Sequence, residues 1–301
     1  MKVMITGALG FVGCELLHLL STRPDIQVYG VDNSTEAFTL RSGIFSRYTN
    51  IHLYNVDISN LKELSLIPKV DLIIHLASVV GYLTCDNSPE AAELTNIQGT
   101  NNVASLDTPV IFMSSGSVYG AIGDICTEDT QINPQTLYAV TKAKGEVAIK
   151  SKVPYVIFRP ATLYGLSHKV RHDLLVHTLS HDAVKNSYIK LYQPDAMRSF
   201  YTVHKIVELC VYVIDNFSKF EGNTYNIGCE TGNITKRGLV NLIQQNISIK
   251  VDIIDSVDLD TRDYNVNYSK LATVWPNYDE NFASNIPSIV TYYKNWNKSF
   301  E

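Results

Sequence analysis

No stretch of the chain approaches the roughly 20 consecutive apolar residues that a membrane-crossing helix needs, so no spanning segment is expected. Cysteine is sparse: Cys14, Cys85, Cys126, Cys210 and Cys229 are scattered, odd in number and never spaced Cys-x-x-Cys. A disulfide framework and a thiol-built zinc site are thereby disfavoured, and free thiols in a reducing cytoplasm are the expectation. An excess of basic residues is also lacking, with 25 Lys and Arg against 30 Asp and Glu, a net charge of −5 and a pI near 5.9. That balance attracts neither nucleic acid nor an acidic membrane surface, although it leaves room for a local basic pocket that holds a phosphate. The opening Met-Lys-Val-Met-Ile-Thr-Gly enters a strand pattern at once, without the charged and then apolar regions of a secretory leader. The six Asn-x-Ser/Thr sequons, at Asn33, Asn216, Asn233, Asn246, Asn267 and Asn297, then read as coincidences of an Asn-rich sequence. Internal repeats, low-complexity tracts and flexible linkers are missing as well.

What is present is an ordinary globular composition, 45% hydrophobic and 18% charged over 301 residues, enough for one large domain or two modest ones. Through the first half, short runs rich in Val, Ile and Leu alternate with amphipathic stretches. The pattern predicts strands at 2–5, 27–31, 51–56, 71–76, 110–113 and 154–158. It predicts helices at 11–20, 89–106 and 140–150, the last beginning near Thr136. Near-continuous apolar strands separated by helices mean a parallel sheet covered on both faces. This is an α/β fold with a Rossmann-type doubly wound sheet, which takes ligands beyond the carboxyl ends of its strands. From about Leu166 the alternation breaks down and periodicity is weak through 203. A helix at 206–217 and a strand at 225–227 could return to the first sheet, and 228–301 reads as a small mixed lobe. The expected division is a dinucleotide-binding domain over 1–165, rejoined by 204–227, and a smaller C-terminal mixed substrate lobe from 166–203 and 228–301.

Thr6-Gly7-Ala8-Leu9-Gly10-Phe11-Val12-Gly13 follows the first strand and opens the first helix. Gly7 permits a tight turn, Gly10 lets the backbone approach a pyrophosphate, and Gly13 lets helix and strand pack closely. Phe11 and Val12 open the helix, whose N-terminus supplies N–H groups and positive dipole to an anion. Asp32, followed by Asn33, ends the second strand nineteen residues past Gly13, where a carboxylate accepts hydrogen bonds from an adenosine ribose. It would repel a 2′-phosphate, which favours NAD over NADP. Asp57 and Ile58 follow the third strand; Asp57 could face the adenine or equally cap the next helix. His75-Leu76-Ala77-Ser78 ends the fourth strand and would line the same cleft, with His75 read as a packed strand histidine rather than a chemical group.

Tyr138-Ala139-Val140-Thr141-Lys142 places a phenol and an ammonium four apart on a predicted helix, hence on one face. A tyrosine with a pKa near 10 is a poor base at neutral pH, and a neighbouring cation favours the phenolate. The stretch 114–120, Ser-Ser-Gly-Ser-Val-Tyr-Gly, ends the fifth strand, with Ser115 placed to hydrogen-bond a reacting oxygen.

These residues resemble the extended short-chain dehydrogenase/reductase family, in the nucleotide-sugar group that holds UDP-galactose 4-epimerase and the dehydratases. The similarity runs through the glycine turn, Asp32, Asp57, the 75–78 stretch, Asn96 in Asn-Ile-Gln-Gly-Thr, 114–120 and 138–142. It continues in Arg159-Pro160, Tyr164-Gly165 and Tyr225-Asn226-Ile227-Gly228. The resemblance implies a catalytic Ser115, Tyr138 and Lys142, with Tyr138, Lys142 and Asn96 also at the cofactor. Arg198 and Arg262 stand where the family holds its substrate diphosphate, a task suited to the planar guanidinium fork. Leu174, with Leu175, falls in the segment that lines the family's nucleotide pocket. A homodimer through helices around 89–106 and 136–150 is likewise implied.

The departures narrow the chemistry. Dehydratases of the family carry Asp-Glu after the catalytic hydroxyl, whereas Gly116 and Ser117 stand here, so water elimination is not expected. Ser117 also argues against the sugar-acid decarboxylases and joins Ser115 as a substrate contact. Thr162 occupies the place of an asparagine near the sugar or diphosphate, and Thr202, His204 and Lys205 also leave the consensus. His168, His172, His177 and His181 invite a metal reading, but no defined ligand set completes it and no metal is expected. The expected activity is an NAD-dependent nucleotide-sugar epimerase acting at C4 through a 4-keto sugar. A 4-keto-sugar reductase using the same triad, and a non-catalytic nucleotide sensor of the same fold, stay open as alternatives.

Overall fold

Strand β1 (Lys2–Thr6) buries four successive residues, Val3 to Thr6, because apolar side chains fill both faces of the sheet there. The computed structural model describes residues 1–121, 124–254 and 265–296. From β1 the chain runs through α1 (Phe11–Leu20), β2 (Gln27–Asp32), α2 (Thr35–Phe45), β3 (Ile51–Asn55) and β4 (Leu72–His75). A broken helical stretch follows, comprising Tyr82–Asn87, Pro89–Glu93, a π-helical turn Leu94–Gly99 and Thr100–Ala104. Next come β5 (Val110–Met113), α3 (Leu137–Lys150), β6 (Tyr155–Pro160) and β7 (Thr162–Tyr164). Then α4 (Leu175–Asn186), β8 (Tyr188–Tyr192), β9 (Met197–Thr202), α5 (Val203–Phe220) and β10 (Asn223–Ile227) succeed one another. Last are β11 (Asn233–Thr235), α6 (Lys236–Gln244), β12 (Lys250–Ile254) and α7 (Phe282–Trp296).

Seven of these strands form one parallel sheet in the order β10-β6-β5-β4-β1-β2-β3. The order reverses between β1 and β4, whose ends lie side by side with Thr6 opposite His75. A crevice opens at such a switch point because the two following connections leave toward opposite faces. One face of the sheet is covered by α1 and α5, which pack together through their apolar stripes. The α5 stripe falls at Val203, Ile206, Val207, Cys210, Val213 and Ile214, the three-and-four spacing of a buried helix face. On the opposite face Val103, Ala104 and Ile149 pack against Ile73 and Phe112.

The smaller lobe has its own apolar cluster, built from Tyr164, Val176, Leu179, Leu191, Phe200, Leu239 and Phe282. Its strands form a three-stranded sheet ordered β11-β9-β7 and a parallel pair of β8 with β12. Strand β10 rejoins the large sheet, each of its five residues paired with one on β6. The structure adds α2, which the sequence pattern does not announce, and differs from that pattern at two further places. The expected single helix over 89–106 contains the π-turn, and the weakly periodic 166–203 carries α4, β8 and β9. No helix among the described residues is long and apolar enough to cross a membrane.

Candidate active site

The glycine turn is required by sterics. Gly7 has φ +69°, and a Cβ on it would lie 2.7 Å from the Ala77 nitrogen. A Cβ on Gly13 would lie 2.3 Å from the Gly7 carbonyl oxygen, so α1 could not approach β1 with any larger residue there. Gly10 precedes the helix in extended conformation, and Cys14 N–H makes the first helical bond back to it. The N–H groups of Phe11, Val12 and Gly13 therefore stand ahead of the helical ladder, at the positive end of the dipole. Asp32 braces this turn: its carboxylate accepts from Leu9 N–H at 3.0 Å and from Ser34 N–H at 3.1 Å. Arg41 reaches back to the same turn, its Nε donating to the Leu9 carbonyl at 3.1 Å.

The next helix, Leu61–Leu64, is capped by Asn60, whose side chain accepts from the Lys62 and Glu63 N–H groups, so Asp57 is not its cap and instead pins the turn before it. Asp57 accepts from Ser59 N–H at 2.8 Å and from the Asn33 amide at 3.0 Å. Burial raises its pKa, but the bonds from Ser59 and Asn33 outweigh that and leave the carboxyl below its ordinary value. Ile58 is a core residue, 4% exposed, with its side chain under Gly99 and its carbonyl held by Asn102. His75 is the packed histidine it was read as. It lies between the hydroxyls of Thr6 at 2.7 Å and Thr100 at 2.9 Å, and burial lowers its pKa to about 3.

Thr6 also accepts from Ala77 N–H, so the same hydroxyl fixes where Leu76, Ala77 and Ser78 emerge into the cleft. Asn96, on the π-turn and 2% exposed, brackets that segment to the neighbouring helix. Its oxygen accepts from Ser78 and from Val79 N–H, and its amide donates to the Val79 carbonyl and to Thr141. Asn96 thus acts here by holding other groups in place.

Thr136 caps α3 by accepting from Ala139 N–H, which sets the helical phase so that Tyr138 and Lys142 share a face. Lys142 is 4% exposed, donates to the Met113 carbonyl at 2.9 Å and stands 5.9 Å from the Tyr138 ring centre. Burial lowers its pKa from 10.5 to about 8, so it remains a cation at neutral pH. Ser115 begins a short turn, Gly116–Tyr119, at the carboxyl end of β5. Its Oγ accepts from Ser117 N–H at 3.1 Å and from Ser117 Oγ at 2.8 Å. With its oxygen so engaged, the Ser115 proton is the part left to present to another group.

Behind this trio lies a buried ion pair. Arg159 grips Glu146 with two bonds of 2.9 and 2.7 Å, and Ser114 donates to the same carboxylate at 2.6 Å. Burial would raise the Glu146 pKa, but the Arg159 fork and the Ser114 hydroxyl hold it below its ordinary value. The pair locks α3 to β5 and β6 and so fixes Lys142 relative to Ser115.

The sequence did not mark Arg171, which the structure brings into the site. Its guanidinium donates to the Asp173 carboxylate at 2.7 and 2.5 Å, which raises its pKa, and Tyr138 lies close enough to act on its charge. An Arg-x-Asp spacing in a loop was the only signal available. Thr162 lies on β7, paired with Phe200, and Leu174 is the residue at which α4 begins. Arg198 is 3% exposed on β9, with Nη1 donating to the Met197 carbonyl. Arg262 lies outside the described residues. A cavity of about 410 Å³ in the smaller lobe is lined by Leu175, Thr178, Lys190, Tyr192 and Lys236, among others. The histidines are spoken for in other ways: His172 stacks on Trp296 at 5.0 Å and His177 bonds the Gly165 backbone. Among the described residues no three His, Cys, Asp or Glu side chains are grouped to hold a metal ion.

The family model described as the NAD dependent epimerase/dehydratase family matches residues 3–228. UDP-glucuronate 4-epimerase 2 of Arabidopsis thaliana is 27% identical over 288 residues, covering 83% of this chain and 64% of its own length. The chain thus spans under two thirds of that plant relative. An uncharacterised UDP-glucose epimerase of Bacillus subtilis, YtcB, is 28% identical over 270 residues, covering 81% of each. The crystal structure of UDP-glucuronic acid 4-epimerase from Bacillus cereus, with UDP-glucuronic acid and NAD, superposes with a TM-score of 0.85. That match covers 98% of this chain and 100% of the other at 22% identity, and at that identity it speaks to the fold alone.

Proposed function

Because this chain belongs to the NAD-dependent epimerase/dehydratase family, we propose that it is a nucleotide-sugar epimerase acting at C4 with NAD as its cofactor. One observation carries the reading. Tyr138 and Lys142 share one face of α3, Lys142 reaches the Met113 carbonyl at the end of β5 two residues before Ser115, and the two residues after Ser115 are Gly116 and Ser117, with no carboxylate to drive elimination. The named relatives act on, or are named for, UDP sugars, which supports the substrate class.

The residues fit NAD. The turn 7–13 leaves no room for a Cβ at Gly7 or Gly13 and offers helix N–H groups to a pyrophosphate, and Asp32 has lone pairs left for a ribose diol. Asn33 and Asp57 would flank the adenine, and Leu76, Ala77, Ser78 and Lys142 the nicotinamide ribose. Bound NAD supplies a reversible acceptor for the hydrogen at the sugar C4. The protein's own part is proton transfer and orientation. Tyr138 takes the proton of the 4-hydroxyl, the Lys142 ammonium favours the phenolate form, and Ser115 donates to the reacting oxygen. The keto sugar then turns over within the site and regains the hydrogen on its other face, Tyr138 returning the proton.

In this reading 1–165 with 204–227 hold the cofactor, while 166–203 and 228–301 hold the sugar nucleotide. The nucleotide would enter the cavity at Leu175 and Tyr192, with its diphosphate on Arg198 and Arg262. A second copy would cover the apolar surface left by Leu94 and Val147, which are 53% and 66% exposed on the helical layer. A monomer by light scattering would remove that part. The five cysteines are free and buried, which supports a cytoplasmic setting, and cell fractionation checks it.

The test is proton NMR with UDP-, GDP-, CDP- and dTDP-hexoses and catalytic NAD. A C4 epimer that accumulates without net cofactor reduction is the expected result, and Tyr138→Phe should abolish it while NAD stays bound. Turnover of 4-keto sugars alone, with consumption of NADH or NADPH, would replace the reading with a reductase.

A further inference from the structure

Glu15 is a buried acid on the first turns of α1, 7% exposed, with Cys14, Leu16 and Leu17 buried around it. A carboxylate in such a place is unfavourable unless partners compensate it. The principal partner comes from 153 residues away. His168 gives its backbone N–H at 2.8 Å and its ring Nδ1 at 2.7 Å to the same carboxylate oxygen. His204, at the start of α5, approaches the other oxygen at 3.7 Å. Next to this contact, Ser167 donates to the Phe11 carbonyl at 3.0 Å and accepts from Lys169 N–H. The His168 ring also rests against His18 and Phe45, at centroid distances of 5.1 and 5.8 Å.

These contacts seat the segment leaving β7 on the first turns of the helix that opens the cofactor site. Three residues further on, Arg171 comes within electrostatic reach of Tyr138, and α4 then begins beside the 410 Å³ cavity.

We infer that Glu15 is a positioning residue: it latches residues 166–174 across the cleft and thereby sets substrate affinity without touching substrate. The inference rests on the proposed function for its kinetic consequence, but the latch itself can be read without any activity.

Lys169 and Arg171 lie inside the latched segment and are trypsin sites. In Glu15→Leu, cleavage at these two residues should become about tenfold faster than in wild type, because the segment opens more often. The KM for the nucleotide sugar should rise about tenfold, with kcat changed by less than about threefold and NAD affinity unaltered. Glu15→Gln should restore both properties, since its amide oxygen can accept the same two bonds. If Glu15→Leu fails to fold, His168→Ala leaves α1 intact and should show faster cleavage by itself.

Wild-type cleavage rates in both variants would overturn the latch. Faster cleavage with an unchanged KM would overturn the positioning role. Equal loss in Glu15→Leu and Glu15→Gln together with weakened NAD binding would reduce Glu15 to a structural residue of α1. Should wild type epimerise no nucleotide hexose, the function falls and the kinetic role with it, while the tryptic comparison still decides the latch.

Discussion

Replacing Lys142 by Met should make the nucleotide-free protein more stable at pH 7 and less stable near pH 10.5. The ammonium is 4% exposed and its pKa lies at about 8 instead of 10.5. That displacement corresponds to roughly 3 kcal/mol by which the folded state disfavours the charged form. The sign follows from proton binding. Between about 8 and 10.5 the unfolded chain holds the proton and the folded chain does not, so wild-type stability rises with pH across that window. Below about 8 the full penalty applies. Met removes the penalty but leaves the Met113 carbonyl without its 2.9 Å donor, a loss of about 1–2 kcal/mol at every pH. The variant should therefore exceed wild type by about 1–2 kcal/mol at pH 7, lose that lead as pH rises, and fall below it near 10.5. Urea unfolding at four or five pH values measures the gap directly. A gap that favours wild type throughout and does not move with pH would show that burial is not straining this ammonium. The expected crossover would identify Lys142 as a group retained against the stability of the fold.

Removing a second buried charge, that of Glu146, should act in the opposite sense. Glu146→Ala leaves Arg159, 5% exposed, without its carboxylate and should lower stability by about 3–5 kcal/mol. A Glu146→Leu, Arg159→Met double variant should recover most of that in urea unfolding, and equal losses in both would refute the reasoning. Asp32→Ser should weaken NAD binding by about 10- to 100-fold, the value of hydrogen bonds to a charged group. It should also improve NADP relative to NAD, because Arg41 is already held at the Leu9 carbonyl beside the vacated position. Fluorescence titration with both cofactors checks this, and an unchanged ratio would remove Asp32 as the discriminating residue.

How far the sequence could be read depended on how local the information was. The glycine turn, the caps and the Tyr138–Lys142 spacing are set by residues within a few positions of one another, and helical or strand period exposes them. The 166–203 stretch resisted because α4 buries His177 and Ser180 among Val176, Leu179 and Ala183. Polar residues on the inner face erased the apolar stripe that would have announced a helix. The π-turn at Leu94–Gly99 has no compositional signature, and its consequence appears only when Asn96 meets Ser78, Val79 and Thr141. Asp57 is ambiguous in the sequence because its Asn33 partner, twenty-four residues away, cannot be inferred from spacing, and because Asn60 three residues on is an equally good cap. The same holds for Glu15 and Arg171, whose meaning depends on elements that pack only in the complete fold.

The return of β10 to the large sheet bears on how the molecule is made. Strand β6 lies buried between β5 and β10, yet β10 begins only at Asn223, after α4 and α5 have been added. At ordinary translation speeds the sixty-odd intervening residues take roughly 3 to 12 s to leave the ribosome. Over that interval the nascent sheet ends on Tyr155-Val156-Ile157-Phe158, an apolar strand with an open edge of the kind that seeds self-association. A chaperone that shields that edge, or a slow-folding smaller lobe that lengthens its exposure, would govern yield in the cell more than the final stability does.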